Sequence, residues 1–126
     1  MKTMTVEEFQ AALKAQGVPS HKHAAFICPM CQTVQSANDL IAAGAGDNFE
    51  EVEKFVGFSC VGRFKNAKSA RLKPNGQPCD WTLGGFFKLH KLEVITTDGQ
   101  QHPRFEIASP EQAQANAAKP RKYANP

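Results

Sequence analysis

Cys28, Cys31, Cys60 and Cys79 are the residues of this chain best suited to chemistry. The first two form a C-x2-C pair, Cys28-Pro29-Met30-Cys31; the third follows after 28 residues and the fourth after a further 18. Two thiolates separated by two residues grip a single ion, with the backbone amides of the tight turn supporting the sulfurs. Pro29 stiffens that turn. Cys60 and Cys79 stand alone, each with turn-forming Gly or Pro nearby. Used together, the four cysteines make a closed tetrahedral set. The expectation is one structural Zn2+ per chain, which fixes three distant pieces of chain to each other and contributes folding energy directly.

Three other readings compete. Cys60 and Cys79 suit burial as apolar thiols. His21, His23 or His90 could replace one sulfur as a ligand. A redox dithiol at Cys28 and Cys31 needs Cys28 at a helix N-terminus, where a thiolate is stabilised. Here Gln32-Thr33-Val34-Gln35 is strand-like and the next helix cap comes only at Ser36. Catalytic zinc fits less well. A zinc deaminase needs H-x-E and P-C-x-x-C, whereas this chain has His21-Lys22-His23 and a proline inside its C-x2-C. It has no H-E-x-x-H. Four sulfur ligands leave no position open for water. No catalytic residue is assigned, and the expectation is a protein that is not an enzyme.

A second set of residues is electrostatic. Arg63, Lys65, Lys68, Arg71 and Lys73 follow one another without an acid between them, with Phe58 and Phe64 alongside. Basic loops with neighbouring aromatics contact phosphate backbones and stack on bases, so these five are candidates for nucleic-acid or partner binding. The plain alternative is a solvated loop. The acids between Asp47 and Glu53 oppose a continuous polyanion-binding face unless the fold separates them from the cations.

The elements that must position these residues are legible in part. Thr5-Val6-Glu7-Glu8 is a capping box, and Val6, Phe9, Ala12 and Leu13 recur at helical spacing, so a helix over about residues 6–16 stops at Gly17. Ala24 to Cys28 reads as a buried strand and Gln32 to Gln35 as its return. Ser36 caps a short helix over Ala37 to Ala43, and Asp47 caps another from Asn48 to Phe55. Pro74-Asn75-Gly76 is a turn. Trp81 is expected to pack on the metal site. Gly84-Gly85 suits a bulge. Phe86 to Thr97 is the clearest strand, Asp98-Gly99 the turn, and Arg104 to Ala108 the return, a hairpin that would bring His90 near His102. From Pro110 the chain is polar and Ala-rich, with one or two helical turns, and ends as a basic tail at Lys119-Pro120-Arg121-Lys122.

These elements imply α+β architecture. The expectation is a single zinc-stabilised domain over residues 1–109, with an N-terminal helix, a zinc-ribbon-like four-cysteine centre and a C-terminal antiparallel hairpin or sheet. Residues 110–126 are read as a flexible tail. The 126 residues, 41% hydrophobic and 21% charged, suit one domain whose core is filled by nine Phe and by aliphatic side chains. A net charge of +3 is too mild to require a polyanion partner. No apolar stretch is long enough for a membrane span. No signal-peptide core follows Met1, so the expected location is the cytoplasm, where thiols stay reduced.

Several blocks carry a resemblance: Cys28-Pro29-Met30-Cys31-Gln32-Thr33-Val34-Gln35, Gly57-Phe58-Ser59-Cys60-Val61-Gly62-Arg63-Phe64, Cys79-Asp80-Trp81-Thr82-Leu83-Gly84-Gly85, His102-Pro103-Arg104-Phe105-Glu106 and Pro110-Glu111-Gln112-Ala113. Over about residues 24–115 the chain resembles a family of small uncharacterised proteins encoded by phages and prophages of proteobacteria. The resemblance implies genomic context and transfers no activity or catalytic residue. With it, the expected function is a non-enzymatic accessory protein that binds a host protein or nucleoprotein complex in the bacterial cytoplasm, inhibition of a host defence system being one such role. Nucleic-acid binding by a zinc-ribbon-like protein and a C-x2-C redox enzyme are the alternatives.

Overall fold

The computed structural model describes residues 2–65, 78–83 and 91–119. Over these the chain is a small α+β domain with two three-stranded sheets and four α-helices. Strand β1 (Lys2–Thr5) leads into α1 (Val6–Lys14). Thr5 Oγ1 accepts the Glu8 N–H and Glu8 Oε1 accepts the Thr5 N–H, so the expected capping box is formed. Gly17 sits at φ +69°, where a side chain would be strained, and turns the chain away after the helix.

A short 3-10 turn (His21–His23) precedes β2 (Ala25–Ile27), which pairs antiparallel with β3 (Val34–Ser36). Ser36 then caps α2 (Ala37–Ala42) with Asp39 in the reciprocal position. Helix α3 (Phe49–Val56) begins one residue later than the sequence suggests. Its cap is Asn48, whose Oδ1 accepts the Glu51 N–H; the Asp47 N–H donates instead to Glu51 Oε1. Val52 and Val56 are the buried face of α3, with Glu50, Glu51, Glu53 and Lys54 outward.

The C-terminal third departs most from expectation. Strand β4 (Leu92–Ile95) and β5 (Gln101–Arg104) form the hairpin, with Gly99 at φ +83° in its turn. The return strand thus begins at Gln101 and not at Arg104. The tight turn requires this, because Ile95 pairs with Gln101 and Leu92 with Arg104. Phe105 then leaves the ladder. Its N–H donates to Gly57 O at 2.7 Å and its ring is fully buried. Beyond it, β6 (Glu106–Ile107) joins the other sheet beside β2. The sheet orders are β1-β4-β5 and β3-β2-β6, with β1 parallel to β4. Phe105 is therefore the pivot between two sheets where the sequence suggests one continuous strand.

Residues 110–118, grouped with the tail in the sequence reading, form α4 (Pro110–Ala118). Ser109 caps it reciprocally with Gln112, and Pro110 occupies its first turn, where no N–H is needed. Ala113 and Asn116 are buried, and Asn116 Nδ2 donates to Asp39 Oδ2 at 2.8 Å. The turn at Pro74–Gly76, the Gly84-Gly85 pair, the first part of the expected Phe86 strand, His90 and the final residues 120–126 lie outside the described residues.

The main core runs from Phe26 and Leu40 through Val52 and Leu83 to Phe105, and all four cysteines belong to it. Phe9 and Leu13 of α1 cover it from outside. A smaller cluster of Ala25, Ala108 and Ala113 lies under α4. Among the described residues no helix is long and apolar enough to cross a membrane.

Candidate metal centre

The four cysteines arrive on three pieces of backbone scaffolding. Cys28 follows β2, and the chain reverses at once into β3. The Cys28 N–H donates to Thr33 O and the Gln32 N–H to Cys28 O, both at 2.9 Å. Gln32 adopts φ +64°, a left-handed conformation that the tight turn demands, and its Nε2 holds Pro29 O at 3.1 Å. Cys31 sits at the top of this turn. Neither sulfur is carried by a helix, since α2 starts only at Ala37.

Cys60 and Cys79 come from two loops zipped together. The Cys60 N–H donates to Trp81 O and the Leu83 N–H to Phe58 O, each at 2.9 Å, and the Ser59 and Thr82 hydroxyls meet at 2.7 Å. The Val61–Lys65 3-10 turn follows Cys60.

The four Sγ atoms lie within 4.8 Å of one another and all four residues are buried. Cys28 and Cys79 are 3.9 Å apart at sulfur, and Cys31 and Cys60 3.7 Å. A regular tetrahedron with metal–sulfur bonds of about 2.3 Å has sulfurs separated by about 3.8 Å, so these two separations suit a four-thiolate ion. None of the cysteines is in a disulfide. Backbone amides already point at the sulfurs: Cys79 N–H to Cys60 Sγ at 3.4 Å and Trp81 N–H to Cys79 Sγ at 3.5 Å. Thr33 Oγ1 lies 3.1 Å from Cys31 Sγ. Such donors support thiolates.

The four thiols also set one another's protonation. Hydrogen bonds from the Cys28 and Cys60 thiols, and from Thr33, hold Cys31 far below the ordinary thiol range. The same contact with Cys31, then that with Cys60 and burial, drives Cys28 far up. Burial pushes Cys79 up to about 12, against the lowering effect of the Trp81 N–H. Four sulfurs in one dry cluster cannot all ionise unless a cation joins them, and a divalent ion reverses this balance. The cluster can hold a metal ion with four protein ligands.

A buried glutamine supports the centre without touching it, and sequence reasoning missed it. Gln35 on β3 is fully buried. Its Nε2 donates to Val56 O and Ser59 O, both at 2.8 Å, and its Oε1 accepts the Val61 N–H at 2.7 Å. It therefore clamps the end of α3 and both flanks of Cys60. Trp81 stacks on Phe105 with ring centroids 5.9 Å apart and packs against the core cluster that contains the four cysteines.

The histidines considered as ligands lie elsewhere. His21 packs edge-on against Phe49, and His23 bonds to Ser20 and Asn38. Of the five basic candidates, Arg63 is exposed on the Val61–Lys65 turn, and its Nη1 donates to Asp80 O at 2.8 Å. Lys65 ends that turn, while Lys68, Arg71 and Lys73 lie outside the described residues.

A family model described as VVA0879-like matches residues 5–108. No curated protein and no solved structure matches the chain.

Proposed function

We propose that this chain, which belongs to the VVA0879-like family, is a non-enzymatic binding protein whose fold is held by one structural zinc ion on Cys28, Cys31, Cys60 and Cys79. The observation that carries the reading is the cluster of four buried sulfurs within 4.8 Å of one another; an ion held by all four would have every tetrahedral position filled by protein. Four thiolates suit zinc and iron alike. Zinc is the assignment because it holds this geometry without redox chemistry, as a purely structural ion requires. Function then falls to the surface. Together with the resemblance of the cysteine and aromatic blocks to phage and prophage proteins, this supports an accessory protein that binds a host macromolecule in the bacterial cytoplasm. Inhibition of a host defence system is the role to test first.

The metal part is tested by elemental analysis of protein purified without added metal, together with thermal unfolding in a strong chelator. About one zinc per chain and loss of structure on chelation are expected; a stable, metal-free protein rejects the reading. The biological part is tested by plating phage on defence-competent cells that express the chain. Higher plating efficiency is expected with the native chain and not with Cys60→Ser. Unchanged plating across the defence systems tried counts against it.

A second reading, nucleic-acid binding, is favoured by one feature. Arg63 and Phe64 stand on the turn directly after Cys60, and Arg63 is tied to the carbonyl of the residue after Cys79.

A further inference from the structure

Beside the metal centre lies an open pocket of about 570 Å³. Lys54, Arg63 and Arg104 line it with Phe55, Phe58 and Phe64. Ser59 and Thr82, whose hydroxyls meet at 2.7 Å, complete its lining. No carboxylate is among its described lining residues. The three cations arrive from α3, from the turn after Cys60 and from β5, so they converge although the sequence scatters them.

Arg104 is the informative member. It is half-buried, and desolvation lowers its pKa, yet its guanidinium donates only to Pro103 O among the described protein partners. It lies 5.9 Å from the Phe58 ring centroid. No described protein group takes its other N–H donors. Lys54 Nζ is 5.1 Å from the Phe55 centroid, and Phe55 and Phe64 meet at 5.0 Å. All three rings are only partly buried, so each keeps some surface open to the pocket.

Convergent cations without an acid select an anion, and the rings beside them select a flat π-system. Phosphate alone needs no rings, and duplex DNA hides its bases inside the stack. We propose that this pocket binds a nucleotide unit of single-stranded nucleic acid. Arg63, Arg104 and Lys54 take the phosphates, and Phe64, which follows Arg63 in the chain and packs on Phe55, is the platform for a base. The proposal deepens the nucleic-acid reading above and moves its centre. The sequence points to a continuous basic run after Cys60, whereas the fold recruits Lys54 and Arg104 from outside that run. Because Phe64 follows Cys60 and Thr82 follows Cys79, the two metal-bearing loops form two walls of the site.

The test is anisotropy of a labelled oligothymidylate of about 12 nucleotides, titrated with the full metal-loaded chain at increasing salt. A log–log salt slope of about −2 is expected for three neutralised phosphates. Arg63→Ala and Arg104→Ala should each reduce its magnitude by about 0.7, with unchanged metal content and circular dichroism. Phe64→Ala should weaken binding about tenfold and Phe64→Trp restore it. Lys22→Ala, on the 3-10 turn outside the pocket, should bind as the native chain does. Absence of binding at low salt, native binding by the pocket variants, or equal competition by a duplex of the same length would each overturn the proposal. So would loss of a captured host protein from the two arginine variants when the oligonucleotide does not bind, since the pocket would then serve a protein partner. Zinc content and chelator sensitivity, measured on the same samples, stand or fall separately, so failure here is distinguishable from failure of the zinc-stabilised reading.

Discussion

At the scale of single residues, the cysteines and the buried glutamines differ sharply in how they can be read. Four cysteines in one chain, two of them in C-x2-C, point to a shared site because thiols have few other uses at that spacing. Gln35 offers no such signal. A glutamine is usually exposed, and its burial depends on three backbone groups that come from α3 and from the Cys60 loop. Gln16 is equally silent in the sequence. It bonds Ala25 O, Ala108 O and the Ala25 N–H, joining the end of α1 to β2 and to the approach of α4. Replacing Gln35 with Ala leaves two carbonyls and one N–H buried without partners, and each such group costs about 1–3 kcal/mol. Gln35→Ala should therefore destabilise the chain by about 3 kcal/mol in urea titration. It should also weaken metal retention, because the Cys60 loop loses its clamp; chelator competition against the native chain reads this out. Native stability of Gln35→Ala would mean that other groups satisfy these atoms.

At the scale of elements, helices were legible where local chemistry fixes them. Thr5 with Glu8 and Ser36 with Asp39 form their caps from residues three apart, so no tertiary knowledge is needed. The sheets were less legible. Strand β1 is Lys-Thr-Met-Thr, without a clear apolar face, and exists because β4 lies parallel beside it. Helix α4 hides in an Ala- and Gln-rich stretch whose small residues resemble a tail until Ala113 meets Ala25 and Ala108. Truncation after Ser109 removes the Asn116–Asp39 and Gln114–Gln16 bonds and uncovers that cluster. It should lower stability by roughly 3 kcal/mol, seen as an earlier urea midpoint. The β4–β5 turn permits a pH prediction. The Thr96 hydroxyl and then the Gln100 N–H donate to the fully exposed Asp98 carboxylate and hold its pKa below the usual value. A depressed carboxylate contributes stability above its unfolded pKa and loses it as pH falls through the folded one. The difference in stability between the native chain and Asp98→Asn should therefore shrink on acidification below about pH 4, and stay constant above about pH 5. A constant difference throughout would mean that the hydrogen bonds place no demand on the charge.

At the scale of the whole molecule, the four-cysteine cluster is part of the core and not an appendage to it. The buried cluster passes without interruption from Leu40 and Val52 through the four sulfurs to Leu83 and Phe105. Phe105 in turn anchors the switch from one sheet to the other, through its N–H to Gly57 O. Removing an ion bound there would leave buried sulfurs that must take up protons, and would free the Cys60 and Cys79 loops, which are zipped together through Trp81 O. Two consequences follow. Apparent metal affinity should rise with pH from acid toward neutrality, because binding displaces thiol protons, and proton release on zinc titration of the apo chain measures it. Chelation should also abolish helix and sheet together. Near-ultraviolet dichroism of Trp81 and far-ultraviolet dichroism of the backbone should then fall along one coincident curve as chelator is added. Loss of the tryptophan signal with the backbone signal retained would mean that the sulfurs staple only their own loops, and that the apolar cluster from Phe26 to Phe105 is stable without them.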